Sequence, residues 1–501
     1  MFKASDYLSL LQQLEQFFEQ SASGDAVCNA LSPDQLRERL PITLPAEGKP
    51  LQALNAEIAN YLSHAVKTAH PAYFNQLWGG FNGACFLGEM LTSATNTSMY
   101  THEVAPVATL IEKALVAKFR KLVGFTHAEE QFTEGQFTTG GSNGNLMALA
   151  MARHRAVPTL KQTGLSNAPK LVAFVSQEAH YSFSKAAQLL GLGSKNLWKV
   201  PVDERGRMLP SALEALIVLA KKQGARPFFV AGTAGTTVRG AYDPLEKISA
   251  IAQQYGLWFH VDGAWGASVL LSPQHKHLMQ GAHQADSVVW DAHKMMGMTL
   301  TCSLLLVKQR GTMLNTFSTG DTDYIFHASE ATPVDLGPAT MHCGRRVDGV
   351  KLWLAWQHLG DRGWQVMVER YFSFAARAEA IIQAHNSLAM IFPRESVNLC
   401  FQYVPTSNHH TANKMTLAIR QQLMEKGLAM VNYAELGGEV FFRLVICNNQ
   451  TQWKDIHALL QNIVTIGQAI EARTQRHKPA HGRHLPDNQD PKKKAESISY
   501  T

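Results

Sequence analysis

Apolar residues recur at helical spacing from the start of the chain: Tyr7, Leu10, Leu11, Leu14, Phe17 and Phe18 follow Ser5-Asp6, a pair suited to cap a helix. Leu51, Leu54, Ile58, Leu62 and Val66 repeat the pattern, after a connection punctuated by Pro33, Pro41, Pro45 and Pro50. Two amphipathic helices of this kind need a surface for their apolar stripe, and a partner subunit is the surface expected. From His70 the texture changes, because HPAYFNQLWGG is rich in aromatic residues and glycine and reads as a loop. APVATLIEKALVAKFRKLVGF reads as a helix with Pro106 near its first turn and Gly124 at its end. Strands and helices then alternate: Leu171 to Val175, a helix from about Ser182, Phe228 to Ala231, a helix from Pro244 to about Gln254, Leu257 to Val261, and Val288 to Trp290. That rhythm predicts an α/β fold with a largely parallel sheet covered on both faces. After Arg345 a long helical stretch (Leu352 to about Ala384) leads to strands at 399–404 and 441–445 and helices at 413–425 and 453–472, a smaller α+β domain. The pattern divides the chain into an N-terminal helical segment (1–69), a large domain (70–345), a small domain (346–473) and a polar basic tail (474–501).

Composition narrows the class without changing that picture. With 46% hydrophobic and 17% charged residues over 501 positions, the chain is a globular protein with a large core, neither disordered nor fibrous. The six cysteines (28, 85, 302, 343, 400 and 447) are scattered without a C-x-x-C pair and read as reduced and buried, which points to the cytoplasm. The first twenty residues place acids inside their apolar pattern and lack the features of a signal peptide. No run approaches the roughly 18 apolar residues of a membrane span, so no membrane association is expected. Of the net charge of +6, half resides between Arg476 and Thr501, where six basic residues meet three acidic ones. That tail reads as a solvated end, with a basic arm for an acidic partner as the alternative. No nucleic-acid partner and no metal are expected.

Candidate chemistry collects where apolar strands end. In SVVWDAHKMMG (Ser287 to Gly297), Lys294 follows the strand Val288–Trp290 and so sits at the mouth of a core. Partial desolvation there frees an amine to attack a carbonyl. FHVDGAWG (Phe259 to Gly266) places Asp262 at the end of another apolar strand. A Schiff-base lysine together with a carboxylate for a pyridinium nitrogen is what pyridoxal phosphate requires of a protein. GGSNGNLMALAMAR (Gly140 to Arg153) is a glycine-rich turn feeding a helix, either a phosphate cradle with Ser142 and Asn143 beside it or a plain capping turn. His180, just past a strand, either caps the next helix or stacks on a cofactor ring. Thr233, in AGTAGTTVRG, either shapes its turn or bonds the cofactor.

These motifs arrive in the order phosphate turn, histidine, threonine, aspartate, histidine-lysine. Together with HPAYFNQL, NTSMYTHEVAPV, CGRRVD and FFRLV, they resemble the group II pyridoxal-phosphate-dependent amino-acid decarboxylases, over roughly His70 to Ile466. The likeness is to the branch acting on glutamate, cysteine sulfinate and aspartate. It implies fold type I, a homodimer and sites shared across the subunit boundary. It also implies that Lys294 carries the cofactor, that Asp262 pairs with its ring nitrogen, and that Ala264 and His180 face the two sides of the ring. Gly141, Ser142 and His293 would hold the phosphate, with Thr233 near the cofactor's edge. Tyr324, in DTDYIFH, matches a tyrosine that supplies a proton from a mobile loop. Gln76, Ser98 and Tyr100 would line the substrate pocket, and Arg443 would pair a substrate carboxylate.

Three departures from the pattern stand out. Asp291-Ala292 precedes His293-Lys294 where Asn-Pro is common, adding a negative charge near a phosphate. Gly263 replaces an alanine, and His102 replaces a tyrosine. The expected activity is decarboxylation of a short acidic L-amino acid, L-aspartate or L-cysteine sulfinate, with L-glutamate as the alternative. Ser98 and Tyr100 point to the shorter substrates, where glutamate enzymes carry asparagine and phenylalanine; the pair could instead only pack its loop. A fold type I aminotransferase and a non-catalytic binding protein are the rivals.

Overall fold

The computed structural model describes residues 4–22, 26–40, 42–125, 134–166, 168–320, 325–326 and 335–476. Twelve strands are seen there: β1 Tyr73–Phe74, β2 Gly135–Thr138, β3 Leu171–Ser176, β4 Leu197–Val200, β5 Arg226–Thr233, β6 Trp258–Asp262, β7 Ser287–Asp291, β8 Ser303–Val307, β9 Leu388–Met390, β10 Asn398–Tyr403, β11 Met430–Leu436 and β12 Glu439–Val445. Seven form one sheet in the order β2-β8-β7-β6-β5-β3-β4. β7, β6, β5, β3 and β4 run parallel, while β8 is antiparallel to both β7 and β2. The fully buried side chains of β3, β6, β7 and β8 explain the unbroken apolar runs, since a sheet covered on both faces has no solvated side. This is the fold type I α/β architecture.

The covering helices sit where the periodicity places them. The helix Pro106–Val123 starts on its proline and ends on Gly124, whose positive φ of 89° suits a residue without Cβ. The helix Gly141–Ala156 lies directly on the sheet because Gly144 has no side chain: a Cβ there would stand 2.5 Å from Val289 Cγ2.

The smaller sheet runs β1-β11-β12-β10-β9, with β1 parallel to β11 and the other pairs antiparallel. Tyr73–Phe74 therefore form a short strand inside the stretch read as a loop, paired with Met430 and Val431. At the N-terminus, a helix spans Ala4–Ala22, so Ser5 and Asp6 fall within it rather than before it. The proline-punctuated connection holds a further helix, Pro33–Arg39, closed by a capping box between Ser32 and Gln35. All six cysteines are free thiols, but only five are buried; Cys343 is exposed because it lies on the irregular strip before the helix Gly349–Ala384. Among the described residues, no helix is long and apolar enough to cross a membrane.

Candidate active site

Three neighbouring parallel strands deliver their ends to one place. In register, Thr233 of β5 stands beside Asp262 of β6, and Asp262 beside Val289 of β7. Asp291 closes β7, and His293 and Lys294 follow it. His180 follows β3, which neighbours β5 on the other side. β2 leads through Gly140 into the helix Gly141–Ala156, bringing the glycine-rich turn to the same edge. Ligands in open α/β sheets bind beyond such carboxyl ends.

Asp262 is buried, and each of its oxygens has one protein donor: Asn145 Nδ2 at 2.9 Å to Oδ2, and the Ala264 amide at 3.2 Å to Oδ1. Lys294 Nζ lies 3.1 Å from Asp291 Oδ2. Asp291 also accepts from Ser303 Oγ at 2.5 Å and lies 3.7 Å from His293 Nε2. Burial alone would raise the Asp291 carboxyl, but Lys294, His293 and the Ser303 hydroxyl outweigh it and hold it below the usual range. His293 sits with Nδ1 against the backbone of Cys302, and burial lowers its pKa although Asp291 pulls it back. His180 is likewise lowered by burial, with Asp262 opposing and Lys294 assisting the shift.

Other groups at this edge lack partners. Thr233 Oγ1 and Asn143 Oδ1 are buried without a hydrogen bond, and no side chain caps the helix that opens at Gly141. A Cβ on Gly141 would stand 2.8 Å from Asp291 Oδ2 and 3.0 Å from Ala264 Cβ, so the glycine keeps open a narrow cleft. Ser142 is exposed beside it. Thr233 is fixed from behind by Asp243, which accepts from the Thr233 amide at 2.7 Å and the Met208 amide at 2.6 Å. Burial raises Asp243 to about 7 despite those donors.

Arg443 comes from the small sheet. It is buried on β12 and donates to the Asn75 carbonyl at 3.0 Å and the Thr237 carbonyl at 3.5 Å, while Nε has no partner. Among the described residues no carboxylate pairs with it; burial lowers its pKa, but a guanidinium stays charged at neutral pH. Gln76 is half-buried nearby, its carbonyl facing Cys447 Sγ at 3.9 Å. Ser98 and Tyr100 bond to another segment. Ser98 Oγ accepts from the Arg345 amide at 3.0 Å, and the Tyr100 carbonyl accepts from the Gly337 amide at 2.9 Å. Tyr324 lies outside the described residues.

A family model described as "Pyridoxal-dependent decarboxylase conserved domain" matches residues 33–404. The chain belongs to that family. Cysteine sulfinic acid decarboxylase of Mus musculus is 36% identical over 91% of this chain and 94% of its own. Acidic amino acid decarboxylase GADL1 of Bos taurus is 37% identical, covering 88% of this chain and 86% of its own. The crystal structure of mouse CSAD in apo form superposes with a TM-score of 0.87 at 35% identity, over 93% of this chain and 99% of that one. Catharanthus roseus tryptophan decarboxylase, at 23% identity and a TM-score of 0.84 over 93% and 99% of the two chains, shares the fold.

This decarboxylase therefore uses pyridoxal phosphate, and its residues fit that group. The orphaned Thr233 hydroxyl, the uncapped helix start and the space kept by Gly141 are what a buried phosphate and ring would fill. One element fits less well: the Asp291 carboxylate lies against Gly141, at the cradle itself. Two residues escaped the sequence reading. His260 and Asp262 alternate along β6 and so share a face, and His260 bonds Asn145, which bonds Asp262. A histidine two positions before the strand-end aspartate, and an asparagine on the inner face of the helix after the glycines, were the available signals.

Proposed function

We propose that this decarboxylase removes the α-carboxyl group of a short acidic L-amino acid, L-aspartate or L-cysteine sulfinate, releasing carbon dioxide and β-alanine or hypotaurine. Arg443 carries the reading: a buried guanidinium bonded only to carbonyl oxygens calls for an anionic ligand. A substrate with a neutral side chain would leave that charge buried and uncompensated. Relatives named for cysteine sulfinic acid and for acidic amino acids support the same class. L-Glutamate is the second reading, because one methylene is worth only about 1–3 kcal/mol of discrimination.

Pyridoxal phosphate, when bound, supplies an electron sink for the pair left as the Cα–carboxylate bond breaks. Lys294 would hold it covalently, and Asp262 would hold the proton of its ring nitrogen. Gly141, Ser142 and His293 would take the phosphate, Thr233 would bond an edge of the cofactor, and His180 and Ala264 would face the ring. Arg443 would grip the substrate's side-chain carboxylate or sulfinate in two parallel hydrogen bonds. One proton enters at Cα as carbon dioxide leaves, and we assign its delivery to Tyr324. Burial of Asp262, Asp291 and Arg443 keeps water from those charges and strengthens their contacts.

The enzyme would act as a homodimer in the cytoplasm. Exposed Leu87, Met90 and Leu91 on one helix and Val107 and Leu110 on the next support the dimer, and six free thiols support a reducing compartment. The deciding experiment incubates purified enzyme with L-aspartate, L-cysteine sulfinate and L-glutamate separately and identifies each amine. Aspartate or cysteine sulfinate should give the highest kcat/KM; a preference for glutamate above about tenfold overturns the substrate assignment.

A further inference from the structure

Asp262 is held from behind by a hydrogen-bond chain that the decarboxylation itself does not use. Trp258 Nε1 donates to Ser287 Oγ at 2.9 Å, and Ser287 Oγ lies 2.8 Å from His260 Nδ1. His260 Nε2 lies 2.9 Å from Asn145 Oδ1. Asn145 Nδ2 gives one proton to Asp262 Oδ2 at 2.9 Å and the other to Ser182 Oγ at 3.0 Å. His260 and Ser287 are fully buried, so water cannot substitute for any of these bonds.

Burial drives His260 down to about 4, so its ring is neutral at physiological pH and carries a single proton. Two arrangements compete. With the proton on Nε2, the ring donates to Asn145 Oδ1, the amide turns its NH2 toward Asp262, and Nδ1 accepts the Ser287 hydroxyl proton. With the proton on Nδ1, the ring donates to Ser287, whose backbone carbonyl also faces it. Nε2 then needs a donor, Asn145 turns over, and its oxygen faces Asp262 Oδ2 with no proton between them. The Trp258 indole can only donate and takes one lone pair of Ser287; were His260 to take the other, the buried hydroxyl proton would have no acceptor, whereas pointed at Nδ1 it is satisfied. That favours the first arrangement, which leaves every member satisfied.

We propose that the Ser287 hydroxyl selects the tautomer of His260 and, through Asn145, holds Asp262 as an oriented carboxylate toward the ring nitrogen of the cofactor. The inference rests on the reading that Asp262 pairs with that nitrogen. Ser287, His260 and Asn145 are on this account positioning residues. Without the hydroxyl, the Ser287 carbonyl alone directs the imidazole, Asn145 presents its oxygen, and Asp262 loses a donor and meets an acceptor in its place. The other charged and titratable groups around the site are His180, after β3, and Lys185 on the helix that follows it, with Asp291, His293 and Lys294 at the end of β7 and after it. They stand outside the chain and are common to every variant below.

The absorbance of the bound cofactor, titrated against pH in the holoenzyme, reads the effect. A hydrogen bond to a charged group corresponds to roughly a tenfold or larger change in an equilibrium, so Ser287→Ala should shift the midpoint by about one pH unit. It should also lower kcat with KM little changed. Ser287→Thr keeps the hydroxyl and should restore the midpoint. Trp258→Phe removes the first donor, should move the midpoint in the same direction as Ser287→Ala, and decides the matter if Ser287→Ala does not fold. Wild-type midpoints in both variants, with Asp262→Asn shifted, overturn the relay. An unshifted Asp262→Asn shows that the pairing of Asp262 is itself wrong, and the relay falls with it.

Discussion

Lys294 and Asp262 were legible because each ends an apolar strand, where a polar side chain has no solvated face to occupy. Asp291 was legible only as a departure from a pattern, and its geometry gives the departure a consequence. Its carboxylate is buried, held ionised by Lys294, His293 and Ser303, and set where a Cβ of Gly141 would touch it. A phosphate brought to the start of the helix Gly141–Ala156 would meet that negative charge, which Lys294 pairs; on the proposed role that pairing would end when the lysine engages the cofactor. Asparagine has the same shape without the charge. Asp291→Asn should therefore bind pyridoxal phosphate more tightly than the wild type, by roughly tenfold, equivalent to about 1.4 kcal/mol. Fluorescence titration of the apoenzyme with the cofactor measures it. Equal or weaker binding by the variant would show that Asp291 serves the phosphate site rather than opposing it.

At the scale of elements, the strands that carry the site were readable and several others were not. β3, β5, β6 and β7 are apolar runs bounded by turn signals. β8 reads Ser-Leu-Leu-Leu-Val, too short to separate from a helix by period, and β2 is four residues long. β11 did carry a signal, since Gly437-Gly438, both at positive φ, turn it into β12 as a hairpin. The site's edge of the large sheet holds three imidazoles, His180, His260 and His293, each lowered chiefly by burial. A histidine whose folded pKa lies below its unfolded value binds fewer protons in the native state between the two. Its contribution is fully present above pH 6.5 and is lost as pH falls through the folded value, about 4 for His260. Over that window His260 alone should give a slope of up to about 1.4 kcal/mol per pH unit. The melting temperature should fall steadily from pH 6.5 to 4, and His260→Gln should melt with a shallower dependence. Parallel curves for the two proteins would mean that His260 does not contribute to acid sensitivity.

For the whole molecule, the placement of Ser98 and Tyr100 bears on assembly. Within one chain their hydrogen bonds go to the strip 335–345, not to Lys294 or Arg443. Yet they lie just before Val104, Val107 and Leu110, which expose 45%, 69% and 57% of their surface, and just after Leu87, Met90 and Leu91 on the helix Gly83–Thr95. Leu87, Met90 and Leu91 recur at three- and four-residue spacing, the signature of a face that packs on something. A second copy seated on this face would bring Ser98 and Tyr100 against its own surface. A pocket completed in that way explains how two residues not bonded to one chain's lysine could still select a substrate. Charge introduced at the centre of such a face costs several kcal/mol when buried unpaired, enough to dissociate the pair. Val107→Asp with Leu110→Asp should therefore halve the mass seen by light scattering and leave helical circular dichroism unchanged. It should also lower kcat/KM by about a hundredfold or more, on the scale of one misplaced substrate-positioning group. A monomeric variant with full activity would mean that each chain builds its substrate pocket alone, and Ser98 and Tyr100 would then be confined to packing their loop.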